Sequence, residues 1–137
     1  MKIAVTDDLA ACMAIRYAVF VDEQSVPPEL EQDEHDATAV HLLATEDGRP
    51  VGTARLLIDG TQAKIGRVAL LPEMRGTGAG AALMRAALDE LGARGVTTAK
   101  LGAQTHALGF YEKLGFVAYG PEYDDAGIPH RDMKRAL

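Results

Sequence analysis

Three glycines lie close together where an apolar run gives way to a segment rich in alanine and leucine. They are Gly76, Gly78 and Gly80, and Arg75 directly precedes them. Glycines carry no side chain, so backbone N–H groups can converge on an anion at the positive end of a helix dipole. An arginine at the mouth of such a turn adds a charge-assisted contact. The segment therefore predicts a binding site for a pyrophosphate.

Three phosphate-binding motifs compete for this glycine turn. A Walker-type P-loop requires Gly-Lys-Ser/Thr at its end, whereas Gly80 is followed by two alanines. The dinucleotide pattern G-x-G-x-x-G/A matches at Gly76, Gly78 and Ala81, but the acid expected about 20 residues later is missing near residues 96–98. The chain is also too short for a dinucleotide fold with a separate substrate domain. The third motif depends on a family resemblance.

The sequence Arg75-x-x-Gly78-x-Gly80 resembles the R/Q-x-x-G-x-G/A motif of the GNAT superfamily of N-acetyltransferases. It follows an apolar run that ends in Leu-Leu-Pro and precedes an alanine- and leucine-rich segment. Downstream, the sequence from Phe110 to Phe116 resembles the second signature of that superfamily. The order of the other predicted elements is similar too, so the resemblance covers nearly the whole chain.

A narrower resemblance is carried by residues 19–44 and by the ending Pro129-His130-x-x-Met133. Both resemble small bacterial acetyltransferases of the glyphosate N-acetyltransferase and YjcF-like kind. The resemblance implies an enzyme that transfers the acetyl group of acetyl-CoA to a primary amine of a small molecule, by direct transfer in a ternary complex. A second hypothesis is a CoA-binding sensor or partner protein that keeps the fold without turnover.

The resemblance also implies which residues bind acetyl-CoA. In the superfamily, the strand before the glycine turn separates from its neighbour, and its free backbone groups contact the pantetheine arm and form the oxyanion hole. Gln104 matches a position where relatives often carry an asparagine that contacts the pantetheine. The residues expected to bind the cofactor are Val68, Ala69, Leu70, Arg75, Gly76, Thr77, Gly78, Ala79, Gly80 and Gln104.

Two further side chains acquire roles from the resemblance. Tyr111 matches the position of a tyrosine near the CoA sulfur, and a phenol can protonate a departing thiolate. The alternative is that Tyr111 belongs to a core cluster with Phe110 and Phe116. Arg67 matches an arginine that faces the acceptor pocket, where it would bind an acidic group of the substrate.

His130 is the predicted general base. It follows Pro129, which restrains the chain in a turn that leads to the last strand, and an imidazole can accept a proton at neutral pH. The narrower resemblance places this histidine at the acceptor amine. The alternative is a hydrogen bond with an adjacent acid, and the candidate acids are Asp124, Asp125 and Asp132. The next candidate bases are Glu31, Asp33 and Glu34.

Composition narrows the class of protein further. The net charge of -6 and the lack of a Lys/Arg run argue against nucleic-acid binding. No signal-like or membrane-spanning run occurs, so we expect a cytoplasmic location and no membrane partner. Cys12 is the only cysteine, and the histidines lack metal-ligand spacing, so we expect no metal. His35, His41 and His106 are expected at the surface or in caps.

The elements that must position these residues follow from periodicity. A first strand and a helix capped by Asp7 or Asp8 are followed by an antiparallel meander of three strands. A helix with Met84, Leu88 and Leu91 on its apolar face then leads to a strand, a second helix and two last strands. We therefore expect one domain over residues 1–137. Its fold is α+β with a mixed sheet: an antiparallel front half and a β-α-β-α-β half that binds CoA.

Two surface features complete the expectations. Five acids lie between Glu29 and Asp36, and this density predicts an exposed loop that could attract a positively charged substrate. The first helix is expected to bury an apolar stripe, formed by Leu9, Met13, Tyr17 and Phe20. An exposed strand near the C-terminus is compatible with a homodimer.

Overall fold

The strands and helices follow the order expected from the sequence. The computed structural model describes residues 1–137. The strands are β1 (Lys2–Thr6), β2 (Val40–Glu46), β3 (Arg49–Asp59), β4 (Gln62–Leu70), β5 (Thr98–Gln104), β6 (Val117–Asp125) and β7 (Ile128–Ala136). The helices are α1 (Leu9–Arg16), α2 (Pro28–Glu31), α3 (Ala79–Ala93) and α4 (Leu108–Lys113), with a π-helical segment over Tyr17–Glu23 and short 3-10 turns at Glu34–Ala37, Pro72–Met74 and Thr105–Ala107.

All strands belong to one sheet with the order β1-β2-β3-β4-β5-β7-β6. Every neighbouring pair is antiparallel except β4 and β5, which are parallel and are connected through α3. This confirms the mixed α+β sheet with an antiparallel front half. It also excludes the doubly wound dinucleotide-binding fold, whose sheet is mostly parallel.

The parallel pair β4–β5 is short. Only Gln62–Lys64 pairs with Thr98–Lys100, and beyond these residues the two strands separate. A bulge in β4 accompanies the separation: Arg67 has φ +51°, and the register with β3 shifts between Thr53 and Arg55. The separation of these strands, which the family resemblance implied, is therefore present.

The main core lies between the sheet and α3. Leu83, Met84, Leu88 and Leu91 are buried there, as the periodicity predicts. Gly95, with φ +82°, follows the helix and reverses the chain in a conformation that favours glycine. None of the helices is both long enough and apolar enough to cross a membrane.

Helix α1 covers the other face of the sheet. Asp8 caps it by accepting a hydrogen bond from the Ala11 amide at 3.1 Å, as expected. The predicted stripe was wrong, because Tyr17 is 37% exposed while Cys12 and Arg16 are buried. The buried face of α1 is therefore shifted by one residue from the expected face. The sequence pattern missed this shift because Arg16 is a charged residue that points inward.

The last two strands are longer than expected. β6 continues to Asp125 through an irregular stretch between Tyr119 and Tyr123, and β7 already begins at Ile128. His130 therefore lies inside β7, opposite Gln104 of β5, and not in a turn before the strand. The length of the β6–β7 hairpin was not predictable from the sequence, because Gly120 and Pro121 resemble a turn.

Candidate active site

The separation of β4 from β5 opens a cleft of about 840 Å³. Its lining contains most of the residues that the sequence assigned to catalysis, substrate or cofactor: Arg67, Val68, Ala69, Leu70, Arg75, Gly76, Gly78, Gly80, Gln104, Tyr111 and His130. The glycine turn lies on one side of the cleft and the β6–β7 hairpin on the other. Two predicted cofactor residues, Thr77 and Ala79, do not line it.

The glycine turn forms the entrance to α3. Gly76 has φ +75° and Gly78, the N-cap, has φ +87°. Residues other than glycine rarely adopt this backbone region. The first amide groups of a helix have no partner within it, so this end of α3 presents donors and a positive dipole. Gly80 serves packing, since a Cβ there would lie 3.3 Å from the Phe110 ring. These features fit a pyrophosphate.

Thr77 and Ala79 support the turn from behind. The Thr77 hydroxyl donates to the Met74 carbonyl at 2.6 Å and accepts weakly from the Ala79 amide at 3.4 Å. Ala79 is itself buried. Their side chains thus hold the turn in shape and do not face the cleft.

Arg75 is already engaged. Its guanidinium donates to both carboxylate oxygens of Glu23 at 2.8 and 2.9 Å and to the Leu70 carbonyl at 2.9 Å. The hydrogen bonds from Arg75 lower the pKa of the Glu23 carboxyl. To contact a phosphate as the sequence predicts, Arg75 must exchange its pairing with Glu23 for the ligand.

The backbone of β4 alternates between its neighbour and the cleft. Leu71 donates its amide to the Val51 carbonyl on β3, so Ala69, two residues earlier, also faces β3. Alternation turns the backbone groups of Val68 and Leu70 toward the cleft, and the Leu70 carbonyl is the one that Arg75 reaches. Val68 and Leu70 are therefore the candidates for an oxyanion donor.

Tyr111 reaches the cleft from α4. Its ring makes edge contacts with Phe110 and Phe116, at centroid distances of 5.0 and 6.1 Å. Burial raises the pKa of the Tyr111 hydroxyl to about 12, so the phenol stays protonated at neutral pH. Tyr111 packs against the core and also lines the cleft, and its role as an acid stays a prediction.

Gln104 connects the two sides of the cleft. Its amide nitrogen donates to the Gln24 side-chain oxygen at 2.9 Å, and its own oxygen lies 2.6 Å from His106 Nε2. Gln24 directly follows the π-helical segment. Glu23 and Gln24 thus fasten that segment to Arg75 and Gln104 respectively.

His130 is held in a defined orientation on β7. Its Nδ1 lies 2.7 Å from the Ile128 carbonyl, which can only accept, so Nδ1 carries the proton. The Nε2 atom of a neutral ring is then the free base. The ring stacks on Tyr123 at 5.9 Å. The alternative pairing of His130 with Asp124, Asp125 or Asp132 was wrong, and Asp132 instead accepts from the Tyr123 hydroxyl at 2.8 Å.

The acidic segment is exposed only in part: Glu29 and Glu34 face solvent, as expected, whereas two other acids are buried. Glu31 and Asp36 are 2% and 5% exposed, because arginines from other elements neutralise them. Arg16 bonds to the Glu31 carboxylate and lies 2.8 Å from Asp36 Oδ1. Arg55 reaches the same Asp36 oxygen at 3.1 Å. The prediction of an exposed loop was wrong for Glu31 and Asp36, because it considered the acids without their distant partners.

Hydrogen bonds govern the ionisation of this network. Burial by itself would raise the pKa of Asp36, but hydrogen bonds from Arg16, the Asp33 amide and Arg55 outweigh it and hold the pKa well below its usual range. The same balance, with Arg55 as the main partner, lowers the pKa of Asp33. His41 is buried too and bonds to the Asp36 carbonyl at 2.9 Å, so its expected surface position was wrong.

Arg67 joins this network from the bulge in β4. Its Nε lies 3.3 Å from the Glu31 carbonyl, and its Nη2 lies 3.3 Å from the Leu30 carbonyl and 3.4 Å from Asp33 Oδ2. Most of its donors thus hold residues 30–33 against β4. Arg67 lines the cleft, but two carboxylates already balance its charge.

Several lining residues were not singled out from the sequence. Glu23 and Gln24 hold Arg75 and Gln104, Tyr123 stacks on His130, and Phe110 packs against Gly80. The aromatic Phe110 lies in the second signature and was within reach of sequence reasoning. The contacts of Glu23 and Gln24 join segments far apart in the chain, and that of Tyr123 depends on the register of the β6–β7 hairpin, so no local signal marks them.

Comparisons with known proteins all identify one family. The family model described as "Acetyltransferase (GNAT) domain" matches residues 5–137. The uncharacterised N-acetyltransferase YjcF of Bacillus subtilis (strain 168) is 35% identical over 94% of this chain and 93% of its own length. The crystal structure of an acyl-CoA N-acyltransferase from Pseudomonas aeruginosa superposes with a TM-score of 0.90 at 34% identity, covering 99% of this chain and 100% of that one.

A more distant structure contains the cofactor. It is an aminoglycoside 6'-N-acetyltransferase complexed with coenzyme A, with a TM-score of 0.75 and 17% identity over 99% of this chain and 97% of that one. At this identity the match establishes the shared fold.

Proposed function

The chain belongs to the GNAT acetyltransferase family, and we propose that it transfers the acetyl group of acetyl-CoA to a primary amine of a small molecule. The observation that carries the proposal is the cleft between β4 and β5. A helix N-terminus with a glycine turn lies on one side, and a histidine with a free Nε2 lies on the other. Acetyl-CoA bound there would supply an activated thioester.

The proposed mechanism is direct transfer in a ternary complex. The first amides of α3 and the guanidinium of Arg75 bind the pyrophosphate. The Val68 and Leu70 amides stabilise negative charge on the thioester oxygen, a contribution of about 3 kcal/mol for such a donor. Cofactor and acceptor meet where β4 and β5 have separated, so the amine needs no covalent intermediate on the enzyme.

His130 and Tyr111 move the two protons of the reaction. Nε2 of His130 accepts a proton from the acceptor ammonium or its bridging water, while the Ile128 carbonyl keeps Nδ1 protonated. Tyr111 protonates the departing thiolate and regains a proton from the nitrogen as the tetrahedral intermediate collapses; its raised pKa keeps the phenol protonated before the transfer throughout the physiological range. Glu31 and Asp33 are poor alternative bases, because arginines already hold their carboxylates.

Arg67 acts in this proposal as a positioning residue. Its donors tie the carbonyl groups of Leu30 and Glu31 to β4, which shapes the acceptor side of the cleft. The clamp for an acidic substrate group expected from the sequence would have to displace these contacts. The cytoplasmic location and the homodimer stay predictions.

The pH profile of acetylation tests the general base. With a screened amine acceptor and CoA release as the readout, wild type should show an acidic limb, along which protonation of the base lowers the rate. His130→Ala should lower the rate about 100-fold and displace that limb. His35→Ala, an exposed histidine outside the cleft, is the matched control and should behave as wild type.

Two outcomes would contradict the proposal. A His130→Ala variant with the wild-type rate and the same limb would remove His130 as the base. An enzyme that binds acetyl-CoA in calorimetry but releases no CoA with any amine of a broad panel would favour the CoA-binding sensor.

A further inference from the structure

Three lysines lie side by side on the sheet face that carries His130. Lys64 of β4 is the register partner of Lys100 on β5, and Lys100 is in turn the partner of Lys134 on β7. Side chains alternate along a strand, so Lys134 lies on the same face as His130 and Asp132. The three ammonium groups therefore form a row across three neighbouring strands, named here the lysine row.

No lysine of the lysine row lies within ion-pair distance of a carboxylate. All ion pairs of the chain are made by arginines or by the N-terminus, and none by a lysine. Like charges in directly opposed positions destabilise a sheet. Asp132, two residues before Lys134, lies on the same face, and its carboxylate accepts a hydrogen bond from the Tyr123 hydroxyl. Lys134 Nζ lies 5.0 Å from the centre of the Tyr119 ring.

A second cavity of about 350 Å³ lies beside Lys64 and Lys100 of this row, whereas Lys134 does not line it. Lys64 and Lys100 line it together with the apolar Leu57 and the ring of Tyr119. Two acids, Asp59 and Asp132, line it as well, and Asp132 accepts a hydrogen bond from Tyr123. The cavity therefore offers ammonium donors and apolar walls, the pattern of a small-molecule subsite.

This cavity is a neighbour of the cleft, because two residues line both. Lys64 and Leu101 line both. Lys100 lies four residues before Gln104, the partner of His130, which corresponds to roughly 13 Å along the strand. A lysine side chain spans part of that distance. An anion at the lysine row would thus lie roughly 10 Å from an amine at His130.

We propose that the lysine row is a second subsite of the acceptor site, which binds a carboxylate at the far end of an elongated amine substrate. This rests on the proposed N-acetyltransferase function and names its substrate class. Arg67 is paired with carboxylates of the chain, so Lys64 and Lys100 are the cations on this face that remain available. A two-fold dimer centred on the row would place lysines against lysines, which favours a ligand over a second copy of the chain.

Matched acceptors that differ only in charge test the proposal. 8-Aminooctanoate and its neutral counterpart 8-aminooctanamide are compared by kcat/KM, and the pair 4-aminobutanoate and 4-aminobutanamide is too short to reach the row. Wild type should prefer the long carboxylate over the long amide about fivefold and show no such preference for the short pair. The preference ratio should fall to near one in Lys100→Gln and return in Lys100→Arg.

Lys2→Gln is the matched control, because Lys2 is exposed on β1 at the far edge of the sheet. It removes the same charge and should keep the wild-type ratio. A carboxylate preference that is absent in wild type, or that Lys2→Gln abolishes as strongly as Lys100→Gln, would overturn the proposal. Melting temperatures of the variants verify that the fold is retained.

A binding measurement separates this proposal from the proposed function. Titration of wild type with 8-aminooctanoate, followed by amide NMR, should shift the resonances of residues 62–64, 98–100 and 132–134. The neutral amide should not shift them. If these shifts occur but no amine is acetylated, the subsite stands and the proposed function fails. If amines are acetylated but the shifts lie elsewhere, the subsite fails and the function stands.

Discussion

The two sides of the cleft are built in different ways. The proposed cofactor side consists of a turn and the first amides of α3, within a few residues of one another, and its donors belong to the main chain. The proposed acceptor side depends on charged side chains from separate elements, in which Arg16 holds Glu31 and Asp36 while Arg55 holds Asp33. Local backbone geometry thus shapes the first side, and long-range ion pairing shapes the second.

This difference determines which substitutions each side can tolerate. A cofactor shared by a whole family requires the same main-chain donors, and their position depends on few side chains. An acceptor site can vary because its shape is set by pairs of side chains. Such pairing can require backbone strain: Arg67 contacts its partners from the bulge in β4, where its φ is +51°.

The largest effect is expected from breaking the ion-pair network. Asp36→Asn removes the carboxylate shared by Arg16 and Arg55 and leaves buried cations without full compensation. We expect a loss of about 3 kcal/mol in the free energy of unfolding, measured by urea denaturation. Glu34→Gln, an exposed neighbour, is the control and should change stability little. Equal stabilities of the two variants would show that the acceptor side does not depend on these pairs.

The pH dependence of stability follows from the same carboxyl. The pKa of Asp36 is lowered in the folded state, so its contribution is complete above the unfolded value of about 3.9 and is lost as the pH falls toward the folded value. Wild type should therefore lose stability below about pH 4, and Asp36→Asn should lose less over the same range.

Tyr111→Phe tests a side-chain hydroxyl in the cleft itself. Removing the hydroxyl should lower kcat about 100-fold while the dissociation constant of acetyl-CoA stays nearly unchanged, because the proton is required only in the transition state. Calorimetry measures the affinity and CoA release measures the rate. The exposed Tyr17→Phe variant is the control. If turnover persists in Tyr111→Phe with chemistry rate-limiting, the tyrosine serves packing alone.

The smallest effect is expected at the glycine turn, and a matched pair isolates it. Gly78 and Gly48 have φ +87° and +79°, and a Cβ at either position would contact nothing within 4 Å. Gly78→Ala and Gly48→Ala should therefore both destabilise the fold by about 1 kcal/mol through backbone strain. Only Gly78→Ala should also weaken acetyl-CoA binding, by about tenfold, because its methyl group enters the space of the pyrophosphate. Equal affinities in calorimetry would disprove the phosphate site.

The sequence by itself determined the features that depend on neighbours in the chain. Glycines at positive φ, the cap at Asp8 and the apolar face of α3 are local patterns, and the structure contains them. The family resemblance added the separation of β4 from β5. Such features are predictable because backbone conformation and periodicity act over a few residues.

Only the tertiary structure decided the features that depend on pairing between distant segments. Arg16 is buried because Glu31 and Asp36, which lie 15 and 20 residues away, neutralise it. Strand register aligned Lys64, Lys100 and Lys134, and it placed His130 within β7 opposite Gln104. Register depends on the packing of the whole sheet, so no stretch of sequence specifies which of these side chains become neighbours.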